Sequence, residues 1–272
     1  MKRILTIAGS DSGGGAGIQA DLKAITLLGG FGMSVLTALT AQNTVAVTSI
    51  HDVPLEFIEA QIEAVFTDIG VDAVKTGMLS STEVVKLVAS KMSEYEPPIV
   101  VVDPVMVAKS GALLLNADAC NTLAEFLLPQ ATLVTPNLPE ASALLGWQVT
   151  KEDDMYRAAE EIHRLGPKYV LVKGGHLQGE AVDLLFDGRE FYAFRSPRIE
   201  TKNVHGTGCT YASAIATYLA QELDVVEAVQ AAKRFITAAI KHGLSLGQGH
   251  GPTNPFAAVL QERSKEGPTS SG

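Results

Sequence analysis

The sequence predicts an α/β protein built on one central, mostly parallel sheet, and three observations predict it. Short apolar runs alternate with longer stretches in which apolar residues recur every three or four positions. Most of the short runs are apolar throughout, as in a parallel sheet covered on both faces. No linker, repeat or break in composition divides the 272 residues, so we expect one domain over residues 1–262 and a disordered, polar tail over 263–272.

The individual elements follow from these patterns in chain order. Strands are predicted at 4–8, 31–39, 45–50, 73–75, 99–102, 133–134 and 169–172, with a hairpin at 180–187 and 190–195. Helices are predicted at 18–28, 55–69, 80–93, 116–127, 138–145, 152–165, 207–222 and 225–242. Residues 24–50 carry no charge, but Gly29, Gly30 and Gly32 interrupt the run. We therefore interpret it as a helix end followed by buried strands, and not as a membrane span.

Composition narrows the range of partners. The net charge is −9, from 21 basic and 30 acidic side chains. Such a chain lacks the positive field that holds nucleic-acid backbones or an anionic membrane surface, which argues against both partners but not against a small phosphorylated ligand. The two cysteines, Cys120 and Cys209, cannot form a disulfide framework or a zinc cluster. Their number suits a reducing compartment, so we expect a cytoplasmic protein.

Polar residues and glycine mark the ends of the predicted strands. Five residues lie at or just beyond the carboxyl end of a strand: Gly9, Lys75, Asp103, Asn137 and Lys173. Ligands of open α/β sheets bind at that edge. Chance could place any one of these residues there, but the five together favour a binding site.

A glycine turn at 206–208 precedes a helical pattern and carries a cysteine directly after it. The first N–H groups of a helix have no partner, and the helix dipole is positive there, so Gly206, Thr207 and Gly208 could cradle a phosphate. The same position would lower the pKa of Cys209 and let its thiolate act as a base. The alternative is an ordinary glycine-rich turn with a small buried cysteine, and these residues alone do not decide between the two.

Several common nucleotide and hydrolase motifs are missing. The 13–17 loop and the 206–208 turn both fail G-x-G-x-x-G, because Ile18 and Tyr211 stand where the third glycine belongs. The sequence contains no P-loop motif and no G-x-S-x-G elbow. A nicotinamide dehydrogenase, a P-loop enzyme and an α/β-hydrolase are therefore disfavoured.

A set of longer segments carries a resemblance to a known family. The segments are TIAGSDSGGGAGIQAD (6–21), TAQNT (40–44), KTGML (75–79), VDPVM (102–106), TPNLPE (135–140), KGGH (173–176) and HGTGCT (205–210). Together they resemble the hydroxymethylpyrimidine/phosphomethylpyrimidine kinases of thiamine biosynthesis, members of the ribokinase-like superfamily, to about residue 260. The resemblance implies a single-domain, three-layer α/β/α fold. It also implies ATP-dependent phosphorylation of 4-amino-5-hydroxymethyl-2-methylpyrimidine to its monophosphate and then to its diphosphate.

The resemblance assigns the catalytic residues to the glycine turn. Gly206, Thr207, Gly208 and Cys209 match the anion hole of the superfamily, and Cys209 would take the proton of the substrate hydroxyl group. Lys173 matches a position that contacts the transferring phosphate. A lysine is a mobile point charge and suits that task.

The resemblance also assigns the substrate site. Gln42 matches the residue that holds the aminopyrimidine, since a side-chain amide can accept from an amine and donate to a ring nitrogen. Without the family match, Gln42 would be a polar residue at a strand end. Met78 and Val105 match ring contacts but could equally be core residues. We also place Gly9 and Asp21 in the substrate site, because both line the same edge.

Nucleotide and metal binding are implied at the same edge. Asn137, Lys173 and Thr207 would bind ATP, and Glu140 of the N-x-x-E motif would hold Mg²⁺ through water with help from Asp103. As a carboxylate before a proline, Asp103 could instead cap a turn.

Other questions stay open at this point. Two alternatives to the main interpretation are a pyridoxal or pyridoxine kinase and a non-catalytic relative that keeps the fold. Related kinases lead us to expect a homodimer. The 12–17 and 107–113 loops are candidates for a lid over the site.

Overall fold

The computed structural model of the chain describes residues 1–106, 117–175, 177 and 179–266. Within them a nine-stranded sheet runs in the order β3-β2-β1-β4-β5-β6-β7-β8-β9. The strands are β1 (Arg3–Asp11), β2 (Phe31–Gln42), β3 (Val47–Asp52), β4 (Ala73–Thr76), β5 (Val100–Val102), β6 (Leu133–Val134), β7 (Tyr169–Lys173), β8 (Ala181–Phe186) and β9 (Phe191–Ser196). The six neighbouring strands β2, β1, β4, β5, β6 and β7 pair in parallel, while β3 and the β8–β9 hairpin join antiparallel at the two sides.

Helices connect and cover these strands. They are α1 (Gly17–Leu27), α2 (Leu55–Ala64), α3 (Thr82–Tyr95), α4 (Ala117–Thr122), α5 (Leu138–Leu145), α6 (Glu152–His163), α7 (Thr207–Ala220), α8 (Val225–Lys241) and α9 (Pro255–Glu266). Wider π-helical turns, Val65–Ile69 and Leu123–Leu127, extend α2 and α4, and a 3₁₀ turn follows at Leu128–Gln130. Several helix starts are set by a local cap: Ser81 and Asp224 accept the N–H of the third helical residue of α3 and α8.

The helices form two layers, one on each face of the sheet. One core cluster joins the sheet to α2, α3, α5 and α6 through residues such as Ile58, Val85 and Ile162. The other joins it to α1, α7 and α8 through residues such as Ile25 and Phe235. The predicted three-layer α/β/α fold with a mostly parallel sheet is confirmed. Because the parallel strands all run the same way, their carboxyl ends meet along one edge, and α7 begins at that edge.

Three details differ from the sequence-based expectations. Strand β3 was predicted to be buried, but five of its six residues are exposed, because it lies at one edge of the sheet. Helix α9 was not predicted, and it extends to Glu266, so residues 263–266 are helical and not part of a disordered tail. The predicted tail from 267 onward, the 107–113 lid candidate and His176 lie outside the described residues.

The uncharged 24–50 run forms the end of α1, strand β2 and part of β3. Within the described part of the chain, none of the helices is both long enough and apolar enough to cross a membrane.

Candidate active site

The glycine turn forms the start of α7, as predicted. Gly206 caps the helix in the left-handed conformation, with φ at +77°. Only a glycine fits there, since a Cβ would lie 1.8 Å from the carbonyl oxygen of Gly15. A Cβ on Gly208 would lie 3.3 Å from Asp103 Oδ2 and 3.5 Å from Lys173 Nζ. The unpaired N–H groups of the first helical turn therefore adjoin a carboxylate and an ammonium group from the sheet edge.

Asp103 and Lys173 form an ion pair beside this turn. Lys173 Nζ donates to Asp103 Oδ1 at 2.9 Å, and the Thr135 hydroxyl donates to the same oxygen at 3.1 Å. Burial alone would raise the pKa of Asp103, but Lys173 and Lys75 outweigh it, so this pKa lies below its usual range. Burial alone would lower the pKa of Lys173, and Asp103 and Glu140 raise it instead. Both groups are charged at neutral pH.

Asn137 and Glu140 form a capping box at the start of α5. The Glu140 N–H donates to Asn137 Oδ1 at 2.9 Å, and the Asn137 N–H donates to Glu140 Oε2 at 2.8 Å. An N-x-x-E pattern before a helix is a known sequence signature of this box, and the sequence reasoning overlooked it. Burial and the charge of Asp103 raise the pKa of Glu140 to about 7, although Lys173 acts against the shift. The capping role occupies one oxygen of Glu140 and the Asn137 side-chain oxygen.

The residues at this edge fit a magnesium ion that arrives with a nucleotide. Asp103 and Glu140 supply carboxylate oxygens, which are hard ligands suited to Mg²⁺. Within the described residues no group of three or more acidic, histidine or cysteine side chains could by itself hold a metal ion. Mg²⁺ keeps several waters and is usually bound by one or two carboxylates together with substrate phosphates. The two carboxylates of Asp103 and Glu140 fit this mode of Mg²⁺ binding.

Cys209 lies in the first turn of α7 with intermediate exposure. The Gly17 N–H donates to its sulfur, which links the turn to the start of α1. Burial raises the pKa of Cys209 to about 12; Lys75 acts to lower it, while Asp21 and Asp103 raise it further. The expectation that the helix N-terminus lowers this pKa is therefore wrong for the ligand-free protein. Desolvation and two nearby carboxylates outweigh the dipole.

Asp21 and Lys75 were both expected to face the ligand edge, and neither does. Lys75 Nζ donates to Asp21 Oδ2 at 2.9 Å, and both side chains are 0% exposed. The hydroxyl groups of Thr6 and Ser213 donate to the same carboxylate at 2.7 and 2.8 Å. Because both oxygens of Asp21 are bonded inside the protein, the structure corrects its assignment as a substrate contact. Ser213 lies one turn after Cys209 on α7, so its bond to Asp21 links the buried Lys75–Asp21 pair to this helix.

The remaining predicted ring contacts lie near the end of β1 and β5. A Cβ on Gly9 would lie 2.4 Å from Met78 Cε, so these two residues are in direct contact. The pairing of β1 with β2 shifts register between Ala8 and Ser10, which places a bulge at Gly9. Val105 is partly exposed two residues after Asp103, at the end of β5.

Gln42 ends β2 beside residues that the sequence reasoning did not assign. Its amide lies 3.2 Å from the Thr40 hydroxyl oxygen and 3.4 Å from His205 Nε2. His205 Nε2 also lies 2.8 Å from Asp11 Oδ2. Since His205 directly precedes Gly206, Gln42 lies close to the same turn that adjoins Lys173. The contact joins positions far apart in the chain, which sequence spacing does not reveal.

A profile of the family described as "Phosphomethylpyrimidine kinase" matches residues 11–254. The chain belongs to the phosphomethylpyrimidine kinase family. It is 59% identical over 263 residues to the thiamine biosynthesis bifunctional protein ThiED of Geobacter sulfurreducens, covering 96% of this chain and 54% of that protein. The chain thus spans about half the length of that relative. It is 52% identical to the hydroxymethylpyrimidine/phosphomethylpyrimidine kinase of Streptomyces coelicolor, covering 92% of this chain and 93% of that one.

The family fold is also seen in solved structures. An ADP complex of Bacillus subtilis pyridoxal kinase matches with a TM-score of 0.90 and 43% identity, covering 96% of this chain and 99% of that chain. The family fold thus also carries a pyridoxal kinase, so overall shape does not choose between the two substrates.

Proposed function

We propose that the chain phosphorylates 4-amino-5-hydroxymethyl-2-methylpyrimidine with ATP, first to the monophosphate and then to the diphosphate. Family membership and a relative of that name, matched over nearly its full length, support the proposal. The observation that carries it is the position of the α7 N-terminus against Asp103 and Lys173. A helix start, an ammonium group and two carboxylates at one sheet edge are what phosphoryl transfer requires, since positioning and charge neutralisation dominate that reaction.

In this proposal each part of the edge has one task. The N–H groups of Gly208 and Cys209 receive the charge that develops on the γ-phosphate. Lys173 exchanges its bond with Asp103 for the transferring phosphate, because its flexible stem lets the ammonium follow the group. Asp103 and Glu140 would hold Mg²⁺, which supplies positive charge to the phosphates when bound. We assign contacts with the nucleotide phosphates to Asn137 and Thr207, at the starts of α5 and α7.

The acceptor hydroxyl must lose a proton in the first step, whereas the acceptor of the second step is a phosphate that is already anionic. The Cys209 thiol adjoins the turn and is the candidate base, but burial keeps its pKa well above neutral pH. A base role therefore requires that positive charge near the thiol increases during the reaction, because removal of water by itself would raise this pKa further. We assign ring contacts to Gln42, Gly9, Met78 and Val105.

Turnover of ATP with the pyrimidine alcohol, followed by detection of both products, tests the proposal. We expect phosphate transfer to this substrate and to its monophosphate at rates well above those with pyridoxal. Transfer to pyridoxal alone would replace the proposal by the second candidate, a pyridoxal kinase, which the fold of the Bacillus subtilis enzyme favours. No transfer to either ring would mean a non-catalytic relative.

We further propose that the protein is a homodimer that associates through β3. This strand forms one edge of the sheet, and Leu39, Val45 and Ile50 in or near it are 44%, 59% and 43% exposed. An exposed edge strand with apolar side chains is a ready site for pairing with a second copy. Sedimentation should show a dimer that Ile50→Glu dissociates, while the control Phe126→Glu, at an exposed position on another face, stays dimeric. A monomeric wild-type protein would rule the proposal out.

The cytoplasmic location stays a prediction.

A further inference from the structure

The hydrogen bonds around Gln42 determine how its amide is oriented. The backbone of Gln42 is held by Ser12, whose hydroxyl accepts the Gln42 N–H and donates to the Gln42 carbonyl, both at 2.8 Å. The structure places Gln42 Oε1 3.2 Å from the Thr40 hydroxyl oxygen and Gln42 Nε2 3.4 Å from His205 Nε2. A 180° rotation of the amide exchanges its oxygen and nitrogen without moving either neighbour, so the partners decide which arrangement holds.

His205 Nε2 has no lone pair to offer Gln42. Asp11 Oδ2 accepts the N–H groups of Gly15 and Ala16 at 3.0 and 2.8 Å and lies 2.8 Å from His205 Nε2. Burial alone would raise the pKa of Asp11, but the bonds from His205, Ala16 and Gly13 lower it, so the carboxylate is ionised and can only accept. The proton of this contact is therefore on Nε2, whether the imidazole is neutral or charged. That proton is directed at Asp11, so an amide N–H on this side would have no acceptor, whereas the amide oxygen would lie beside an N–H group.

The hydrogen bond of Thr40 leads independently to the same orientation of the Gln42 amide. Its hydroxyl has one proton, and it donates that proton to the Ser10 carbonyl at 2.8 Å. The hydroxyl oxygen that faces Gln42 is left with lone pairs only. The amide atom on the Thr40 side must therefore be a donor. With Oε1 on the Thr40 side and Nε2 on the His205 side, as the atoms are placed, two oxygens face each other at Thr40 without a proton between them, and two N–H groups adjoin at His205. Exchanging the two amide atoms removes both conflicts.

We propose that Thr40 and His205 orient the Gln42 amide with its oxygen towards His205 and its nitrogen towards Thr40, and so select a ring with an amino group beside a ring nitrogen. In this orientation Thr40 accepts one N–H of the amide, and one lone pair of the amide oxygen faces His205. One lone pair and one N–H remain. They match the amine and the ring nitrogen of a 4-aminopyrimidine, with the amine on the His205 side. The inference has two halves. Its ligand half, the selection of the ring, rests on the proposed function, and its amide half, the orientation of the Gln42 side chain, rests on the hydrogen bonds alone.

A binding experiment without ATP tests the ligand half. Its probes are 4-amino-5-hydroxymethyl-2-methylpyrimidine and the same ring without the amino group, with the Kd of each measured by calorimetry. We expect the wild-type protein to prefer the amino ring by roughly 5- to 150-fold, the range that one well-placed bidentate amide contact supplies. Thr40→Val should lower this preference about tenfold, because a freed amide can turn to suit either ring.

Two variants separate orientation from general damage. Thr40→Ser keeps the hydroxyl and should restore the wild-type preference. Thr48→Val removes a hydroxyl that donates to the Ala41 carbonyl at 3.0 Å in the same hairpin, without contacting Gln42, and should leave the preference unchanged. An unchanged preference in Thr40→Val, or an equal loss of affinity for both rings, would overturn the inference. Wild-type binding with the expected preference but without ATP turnover would instead refute only the proposed kinase activity.

Nuclear magnetic resonance tests the amide half on the wild-type protein, even where a variant does not fold. With ¹⁵N-labelled glutamine, we expect an Overhauser contact from the Gln42 amide protons to the Thr40 side chain. Amide protons that contact the His205 ring and not Thr40 would place the nitrogen on the other side and overturn the inference.

Discussion

The protonation state of Cys209 can be measured directly, and the structure sets its magnitude. Burial raises the pKa of this thiol to about 12, against an ordinary value of 9.0. A shift of this size lowers the thiolate fraction at neutral pH by about 1000-fold. A more basic thiolate is also more nucleophilic, and a Brønsted slope of 0.4–0.5 makes each thiolate react about 20-fold faster. The protein thiol should therefore react roughly 50-fold more slowly than a small-molecule thiol.

The assay is reaction with a small disulfide reagent between pH 6 and pH 10 in a Cys120→Ala background, which leaves one thiol in the chain. Since deprotonation precedes reaction, the logarithm of the rate should rise by about one unit per pH unit, without a plateau in this range. A rate independent of pH between pH 6 and pH 8 would mean that the thiolate is already formed. That result would refute the argument that desolvation and the carboxylates of Asp21 and Asp103 outweigh the helix dipole.

The same residue gives a kinetic prediction. Cys209→Ala should lower the first phosphorylation by about 100-fold or more, the usual contribution of a general base, and the second step much less. The reason is that only the first acceptor has a hydroxyl proton to lose. The two steps are measured separately with purified protein and purified substrates. Equal losses in both steps would assign Cys209 to the shape of the turn and not to proton transfer.

Two further predictions concern stability. Lys75→Met leaves the carboxylate of Asp21 buried without its partner and should lower the free energy of unfolding by about 3–5 kcal/mol. Lys2→Met breaks an exposed ion pair and should leave the free energy of unfolding nearly unchanged. Equal effects of the two substitutions in urea denaturation would contradict this prediction. Glu140 has a folded pKa of about 7, above its ordinary 4.5, so its contribution to stability is complete below pH 4.5 and is lost as the pH rises through 7. The loss amounts to about 3 kcal/mol. Glu140→Gln, which keeps the cap, should abolish this difference between unfolding at pH 5 and pH 8, whereas Glu83→Gln at an exposed position should preserve it.

The fold was predictable because its signals are local. Runs of apolar residues and their spacing depend on neighbours within a few positions, and so do caps such as Asp224. The exposure of β3 was not predictable in this way, since its residues resemble those of a covered strand. Its edge position is decided by the order in which strands pair, and that order is not written in any one segment.

The same distinction between local signals and tertiary packing decides which features of the site were predictable. The placement of Gly206, Asp103 and Lys173 at one edge follows from strand ends in a parallel sheet, and the sequence indicated it. The burial of Lys75 did not follow, because a lysine at a strand end has the same local pattern whether it faces water or a partner. Only the packing of α1 and α7 over β4 brings Asp21 to it.

Apart from α9, the sequence alone determined the order of strands and helices along the chain, the turn at Gly206 and the family, since each depends on residue types in short segments. The tertiary structure alone decided the charge state of Cys209 and Glu140 and the partners of Gln42. These depend on desolvation and on groups as far apart in the chain as Asp11 and His205. Electrostatic energies depend on distance in space and on exclusion of water, and the chain acquires both only when it folds.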